Sequence, residues 1–202
     1  MIKKILKYGF IGWLVLSVLT FPFYWPFIRM FWVFLPSVEK PDYEPPASAY
    51  EARLQDIDYL ATVLRYDRAF SATAEQSFTA KLEEMKDGAE AMSDAQFYLG
   101  VAEAMALADN GHTSVSYRPQ YTQFNTIGAR LYEFKDGVYV VAAAPDKAET
   151  VGRRVVAVDG TPIAALQTDM GVYKGGNDVW RYLYATFLIE SPDLMAAAVK
   201  AA

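Results

Sequence analysis

The chain has 202 residues, of which 53% are hydrophobic and 15% aromatic, so its composition suits a folded core and is not that of a disordered protein. It has no cysteine, which excludes disulfides, thiolate metal sites and a cysteine nucleophile. The net charge is −5 overall, but residues 41–202 hold 14 Lys and Arg against 23 Asp and Glu, a net charge of −9. An acidic body of this kind argues against nucleic acid as the partner.

The N-terminal sequence predicts a membrane anchor. Lys3, Lys4 and Lys7 precede an uncharged stretch of 21 residues from Tyr8 to Ile28. About 20 apolar residues are enough for an α-helix to cross the hydrocarbon core of a bilayer. The basic flank predicts a single span with the N-terminus in the cytoplasm and the body outside, in the periplasm or the extracellular space.

A cleaved signal peptide is the main alternative to an anchor over residues 1–36. Its apolar region is normally shorter, and its small-residue cleavage site lies close behind. Here the nearest such motif, Ala47-Ser48-Ala49, lies about 20 residues past the span, so a retained signal anchor is favoured. Pro22 and Pro26 predict a kink or the end of the helix. The prolines that follow predict a stiff, extended linker over residues 37–48: Pro36, Pro41, Pro45 and Pro46.

Residues 49–116 predict a small helical cap of three amphipathic helices. Apolar residues recur at spacings of three and four in Tyr50–Tyr66 and again in Thr73–Lys86. Ser93 and Gln96 form a capping-box pattern that begins a third helix, which ends at Asn110-Gly111. The side chains predicted to face the core are Leu54, Ile57, Ala61 and Leu64, then Phe78, Leu82 and Met85, and then Phe97, Val101, Ala104, Met105 and Ala108.

Residues 117–172 predict a β-rich unit. The strand-like runs Arg130–Phe134 and Val138–Ala143 are separated by Lys135-Asp136-Gly137, and Asp-Gly at such a position is typical of a hairpin. The further elements predicted in this unit are a short helix, a third strand and a turn: Pro145–Thr150, Arg153–Val158 and Asp159-Gly160. Residues 173–202 then predict a connector and a truncated helix.

His112 is the only histidine, and it lies just after the third predicted helix in the run Asp109-Asn110-Gly111-His112-Thr113. Imidazole side chains titrate near neutrality and can take a proton from a serine hydroxyl. The alternative is a structural histidine whose ring forms a hydrogen bond near the helix end. Asp109 is interpreted as a cap of the turn in preference to a residue that orients the imidazole.

The sequence contains no Gly-x-Ser-x-Gly nucleophile motif, and its one Ser-x-x-Lys spacing, Ser37–Lys40, lies in the predicted linker. Ser114 and Ser116 lie near His112, but alternate strand residues so close in sequence rarely form a catalytic pair. Gly175-Gly176 is interpreted as a flexible connector, because the pattern of a phosphate-binding loop is missing. With one histidine and no cysteine, we expect no metal site and no cofactor.

In chain order, the cap, the run Asp109–Thr113 and the segment after it resemble the front half of the S41 family of serine peptidases, the tail-specific or C-terminal-processing proteases. The positions that carry the PDZ-like part of this resemblance are Pro145, Ala148, Gly152, Val155, Val158, Asp159, Gly160, Pro162 and Ile163. Gly175–Trp180 is similar to the family's connector to the catalytic core. The resemblance implies an α+β fold with an N-terminal transmembrane helix, a helical cap, a PDZ-like β-rich unit and a helical tail.

The resemblance also implies a function. His112 corresponds to a histidine that acts, in one branch of S41-like enzymes, as the general base for a serine in a core that lies downstream. The substrate would be a peptide or an unfolded protein. The PDZ-like unit would hold an extended peptide along Val138, Tyr139, Val140 and Val141, beside the helix Pro145–Thr150. The alternatives are a complete, non-catalytic, membrane-anchored peptide-binding adaptor and a structural membrane protein without a ligand.

Overall fold

The structure is a computed structural model that describes residues 2–34, 41–116 and 122–201. The chain divides into two compact units, Met1–Lys40 and Pro41–Ala202. The smaller unit contains the predicted anchor, the larger unit contains the predicted cap, β-rich unit and tail, and the predicted linker is divided between them.

The N-terminal unit is one long helix, α1 (Ile2–Phe34). Its segment Tyr8–Trp32 is long and apolar enough to cross a membrane, with a mean hydropathy of 1.6 and none of it buried. The helix continues through Pro22 and Pro26, so the prediction that a proline ends it is wrong. Each proline removes one backbone donor, whereas the residues on either side keep their own helical hydrogen bonds. Pro36 of the predicted linker lies outside the described residues.

Three helices begin the larger unit and confirm the predicted helical elements: α2 (Ala49–Ala61), α3 (Ala72–Gly88) and α4 (Asp94–Ala106). A serine precedes each helix, and its hydroxyl accepts a hydrogen bond from a backbone N–H of the first turn. The capping box of Ser93 and Gln96 is present at the start of α4. These caps explain why the helices begin where the sequence pattern predicts.

The end of the first cap helix differs from the prediction. The α-helical hydrogen bonding stops at Ala61, and a 3₁₀ turn, Thr62–Arg65, continues the segment. A 3₁₀ turn has three residues per turn, so it rotates the following side chains relative to an α-helical face. Ile57 is fully buried, but Ala61 is exposed, which corrects its assignment to the core.

A two-stranded hairpin confirms the predicted strands. Strand β1 (Ala129–Phe134) pairs antiparallel with β2 (Gly137–Ala143), and the register shifts by one residue between Arg130 and Leu131. Gly137 opens β2 with φ 144°, a backbone angle that favours glycine.

The predicted third strand is shorter than expected. Only Ala157–Val158 (β3) of the run Arg153–Val158 forms a strand, and it pairs with β4 (Thr161–Pro162). Residues 152–155, before β3, form backbone hydrogen bonds with Val138 and Val140 of β2 and place Arg154 opposite Tyr139, but they do not form a regular strand. The predicted short helix before this run is confirmed as a 3₁₀ helix, Pro145–Thr150.

Helices complete the larger unit. Helix α5 (Ile163–Met170) runs into a 3₁₀ turn at Gly171–Tyr173, and two longer helices follow: α6 (Asp178–Ile189) and α7 (Pro192–Ala201). Asn177 caps α6 by accepting a hydrogen bond from the N–H of Trp180. The predicted helical tail is therefore two helices that turn at Glu190 and Ser191.

Helix α4 separates two hydrophobic clusters and contributes to both. The first cluster packs α2 and α3 against one side of α4; its buried members are Ile57, Phe70, Phe78, Leu82, Met85, Ala89, Ala104 and Ala108. The second packs the other side of α4 against the hairpin and helices α5, α6 and α7; its larger buried members include Tyr98, Leu99, Leu131, Val138, Met170, Tyr184, Leu188, Ile189 and Leu194. The architecture is a mixed α+β fold, as predicted, with small antiparallel sheets.

Candidate functional site

The segment after α4 forms a tight turn that presents His112 to solvent. We call residues 109–113 the histidine turn. Asp109 has φ 47°, a left-handed conformation that is uncommon outside glycine. The side-chain Oδ1 of Asn110 accepts a hydrogen bond from the backbone N of His112 at 2.9 Å, the local bond expected of Asn in a turn. The His112 side chain is exposed, and its ring makes no hydrogen bond with a residue that the structure describes.

A second loop, Lys174–Asn177, locks against the histidine turn. A Cβ atom on Gly175 would lie 2.7 Å from the backbone N of Asn110, and one on Gly176 would lie 2.9 Å from the backbone N of Gly111. Real Cβ atoms are not found that close to backbone, so the second loop needs glycine at both positions where it meets the histidine turn. The interpretation of Gly175-Gly176 as a flexible connector is corrected here: the two glycines permit close packing.

Asp109 holds the two loops together. Its Oδ1 accepts hydrogen bonds from the backbone N of Gly176 at 3.1 Å and from Nη2 of Arg181 at 2.9 Å. The Gly176 N–H and, next, the Arg181 guanidinium lower the pKa of Asp109. The carboxylate thus caps the second loop from the first, and it is not the partner of the imidazole.

Lys174 supports the turn from inside. Its side chain is buried, and Nζ donates a hydrogen bond to the carbonyl oxygen of Gly111 at 2.7 Å. The ammonium also lies 5.5 Å from the ring centroid of Trp180 and 5.7 Å from that of Tyr184, which are cation–π distances. Burial lowers the pKa of Lys174, because removal from water disfavours the charged form.

Trp180 packs beneath the histidine. The rings of His112 and Trp180 have centroids 5.6 Å apart and are inclined at 60°. A Cβ on Gly111 would lie 2.6 Å from Cδ1 of Trp180, so glycine allows the indole to approach the turn. The indole thus gives the exposed imidazole a fixed apolar support on one side.

The last residue of the turn connects it to the segment after α2. Thr113 is buried, and its Oγ1 donates a hydrogen bond to Oδ2 of Asp67 at 2.6 Å. Asp67 follows the 3₁₀ turn after α2, 46 residues away in sequence. Asp67 is a partner of the turn that sequence reasoning missed. A few residues on, the hydroxyl of Tyr98 donates to the carbonyl of Ser116 at 3.1 Å.

A recess of about 400 Å³ lies next to the histidine turn, between α4, α5 and α6. Lys174 and Arg181 line it together with the acidic residues Glu103 and Asp178. The two cationic side chains are the same ones that hold the histidine turn. A molecule in the recess would therefore meet the supports of His112 rather than the imidazole itself.

The four predicted peptide-binding residues lie on β2. Val138 and Val140 are buried, whereas Tyr139 is half-buried and Val141 is exposed. The edge of β2 that faces away from β1 is occupied: Val140 exchanges backbone hydrogen bonds with Arg153 and Gly152, and the carbonyl of Val138 accepts from Val155. A peptide that added a strand at this edge would have to displace residues 152–155. Peptide binding at these positions stays a prediction.

Lys174, Arg181 and Trp180 were not identified as site residues from the sequence. They lie 60 or more residues from His112, and neither spacing nor motif links the two segments. The only available signal was the pair Gly175-Gly176, since adjacent glycines often mark close backbone approach. The described residues contain no cluster of three or more His, Cys, Asp or Glu side chains able to hold a metal ion.

A scan against protein-family models and searches of curated proteins and of solved structures gave no match for this chain. The assignment of function therefore depends on the residues and the geometry described above.

Proposed function

We propose that the chain is the membrane-anchored N-terminal portion of an S41-like serine peptidase that acts on peptides or unfolded proteins. In this proposal residues 49–116 are the helical cap, residues 117–172 are the PDZ-like unit, and His112 is the general base. One observation carries the proposal. The single imidazole of the chain is exposed, free of hydrogen bonds to described residues, and presented by a turn whose position several contacts determine.

The chemistry requires a serine from a separate catalytic core. As the serine Oγ attacks the carbonyl carbon of the peptide bond, its proton passes to the imidazole of His112. The imidazolium then gives that proton to the leaving amine as the C–N bond breaks, and water later hydrolyses the acyl-enzyme. An imidazole buried in apolar packing could not be reached by a serine on another domain, whereas the His112 ring is open to one.

The geometry of the turn suits a base that must stay in one place. Proton transfer needs the base within about 3 Å of the hydroxyl, and a small displacement of the base greatly lowers the reaction rate. The turn is held by Lys174 below, by Asp109 toward the second loop, and by Thr113 toward the cap. These three contacts restrict the movement of the five-residue turn, and with it the position of the His112 imidazole.

The proposed location is the outer side of a membrane. The span Tyr8–Trp32 supports an anchor, and Lys3, Lys4 and Lys7 support a cytoplasmic N-terminus by the positive-inside rule. A peptidase placed in this way would meet membrane-associated or exported polypeptides.

The test uses the protein in its native membrane. An antibody against residues 41–202 should detect a species larger than 22.6 kDa, the mass of this chain, and the immunopurified species should cleave unfolded casein. His112→Ala in the native gene should reduce cleavage by about 10³-fold, the usual cost of losing a catalytic base. Val179→Ala, a change at an exposed position of α6, is the matched control and should cleave normally.

Two results would contradict the proposal. Detection of only a 22.6 kDa species without cleavage would remove the enzyme and favour the anchored adaptor, which calorimetry with peptides bearing free or amidated C-termini would then examine. Cleavage that survives His112→Ala would show that the base has been assigned wrongly. The 202-residue chain alone is expected to cleave nothing.

A further inference from the structure

The outer side of the β1–β2 hairpin carries a group of exposed apolar side chains far richer in rings than its surroundings. We call this surface the aromatic face; its members are Tyr132, Phe134, Tyr139, Val141 and Val151. Tyr132, Phe134, Val141 and Val151 are each 44–48% exposed. The inner side of the same hairpin carries Leu131, Val138 and Val140, which are buried in the core.

The rings of the aromatic face support one another. Phe134 lies 5.0 Å from Tyr132 and 5.7 Å from Tyr139 between ring centroids, and both pairs are edge-to-face. Such pairs are favourable, so the rings form an ordered surface instead of three independent side chains. A recess of about 430 Å³ beside Val141 and Val151 gives this surface some depth.

Positive charge surrounds the aromatic face although the body is strongly acidic. Lys135 lies at the tip of the hairpin, and Arg153 and Arg154 lie in the neighbouring segment. All three are exposed, and none makes an ion pair with another residue that the structure describes. Arg154 is opposite Tyr139, and its guanidinium lies close to Gly137, on the side of the rings.

The two acidic residues of the hairpin form hydrogen bonds within the body. Asp136 accepts a hydrogen bond from the hydroxyl of Tyr139 at 2.8 Å. Glu133 accepts from Nε2 of Gln167 at 3.2 Å, which turns its carboxylate toward α5 and away from the rings. The aromatic face therefore presents rings and the Asp136 carboxylate, beside three cations that make no ion pair with another described residue.

We infer that the aromatic face docks onto the headgroup region of an anionic lipid bilayer, the membrane in which α1 is anchored. Tyrosine and phenylalanine rings flanked by Lys and Arg suit the boundary between headgroups and acyl chains. Anionic headgroups attract the three cations and repel the acidic remainder of the body, so charge selects this face. The inference rests on the anchored location in the proposed function, but not on peptidase activity.

The tether makes weak docking sufficient. Fourteen residues separate Phe34 from Ala49, and a fully extended segment of that length spans at most about 50 Å. A body held so close to the bilayer has a high effective concentration at its surface, so a face of modest affinity stays bound. A soluble protein partner receives no such advantage. A peptide strand at the edge of β2 would first have to displace residues 152–155.

The absence of cysteine allows a direct test. In the full chain, reconstituted in nanodiscs, Tyr132→Cys is labelled with an environment-sensitive fluorophore, and Val179→Cys, 73% exposed on α6, is the matched control. With phosphatidylglycerol present, headgroup-attached quencher should reduce the Tyr132 signal about twofold or more and leave the Val179 signal unchanged. Lys135→Glu with Arg154→Glu, or phosphatidylcholine alone, should weaken the quenching.

Flotation of the nanodisc complex and circular dichroism of each variant show separately that the chain is anchored and folded. Equal quenching at both positions, or none at Tyr132 in an anchored and folded chain, would overturn the inference. Loss of the Tyr132 quenching on addition of unfolded casein would instead identify a polypeptide as the occupant, which also overturns it. Loss of casein cleavage in the native protein would bear on the peptidase alone.

Discussion

Single atoms decide the shape of the histidine turn. A Cβ atom added to Gly111 would lie 2.6 Å from both Cδ1 and Nε1 of the Trp180 indole. Gly111 has no positive φ, so its backbone would accept alanine in the absence of the indole. The requirement for glycine at this position is therefore a packing requirement that depends on one neighbour.

Gly111→Ala should lower the free energy of unfolding by about 1–3 kcal/mol, because the new methyl group must push the indole aside. The measurement is urea denaturation of the full chain in detergent micelles. In a Trp180→Ala background the same change should cost less than about 0.5 kcal/mol, since the obstacle is gone. Equal costs in the two backgrounds would show that the backbone, and not the indole, demands glycine.

The buried lysine beneath the turn should make stability depend on alkaline pH. Its pKa is lowered in the folded protein, so between that folded value and the unfolded value of about 10.4 the unfolded chain binds more protons. Stability relative to Lys174→Met should therefore rise as pH increases through this window, by no more than about 1.4 kcal/mol per pH unit. Urea denaturation of both proteins at pH 8, 9 and 10 measures the difference.

Lys86 is the control for this pH effect. Its hydrogen bond to Glu83 raises the pKa of Lys86, so any contribution is present below about 10.4 and is lost only above it. The difference between the wild type and Lys86→Met should thus stay flat from pH 8 to 10. A rise of equal size for both pairs would show that the effect does not come from the burial of Lys174.

At the scale of elements, the junction between α6 and α7 organises the β1–β2 hairpin. Glu190 is completely buried, and its Oε1 accepts a hydrogen bond from the backbone N of Leu131 at 2.7 Å. Its Oε2 lies 3.1 Å from Nε of Arg130, and its own carbonyl accepts from the N of Ile127. One residue at a helix end thereby continues the hydrogen bonding of β1 where no further strand is present among the described residues.

Replacement of Glu190 by alanine should destabilise the larger unit by about 3–5 kcal/mol. The change leaves the buried N–H of Leu131 without its acceptor and removes the carboxylate that pairs with Arg130. Glu190→Gln keeps an oxygen for the N–H of Leu131 and should cost about 1–2 kcal/mol. Hydrogen exchange at Leu131 locates the effect: its amide should exchange faster in the alanine protein than in the glutamine protein. Similar costs for the two changes would refute this role for the carboxylate.

At the scale of the whole molecule, helix α1 and the larger unit differ in where their apolar side chains lie. Along Tyr8–Trp32 the large apolar side chains are exposed, as for Leu16 at 60% and Leu19 at 65%. The body instead buries its large apolar residues in two clusters on either side of α4. An unburied apolar helix of this length is stable in lipid and unstable in water.

Leu16→Arg combined with Leu19→Arg should release the chain from membranes. Arginine near the centre of a span costs about 3 kcal/mol, so two of them remove most of the insertion energy. Alkaline carbonate extraction followed by flotation measures the membrane-bound fraction. Val179→Arg, an equally drastic change at an exposed position of the body, should leave that fraction unchanged; retention of the double variant would contradict an anchor in this segment.

Many of the helices and strands could be predicted from short-range sequence patterns. The long apolar helix α1, helices α2 to α4, the hairpin and the 3₁₀ helix follow from hydrophobic period, serine caps and an Asp-Gly turn, and these act within a few residues. His112 could be singled out because it is the only histidine and follows a helix end. What lies around it could not, since Lys174 and Arg181 come from a distant segment.

Tertiary packing decided the remainder. Helix α4 buries two faces. Apolar residues that repeat every 3.6 positions identify one buried face of a helix, but they do not show that a helix is enclosed on both sides. The third strand shortened because Arg153–Val155 bond to β2 as an irregular segment. From the sequence, Asp109 could orient His112 or cap its own turn. Only the folded chain brings Gly176 and Arg181 to its carboxylate, because contacts between distant segments depend on how all the elements pack together.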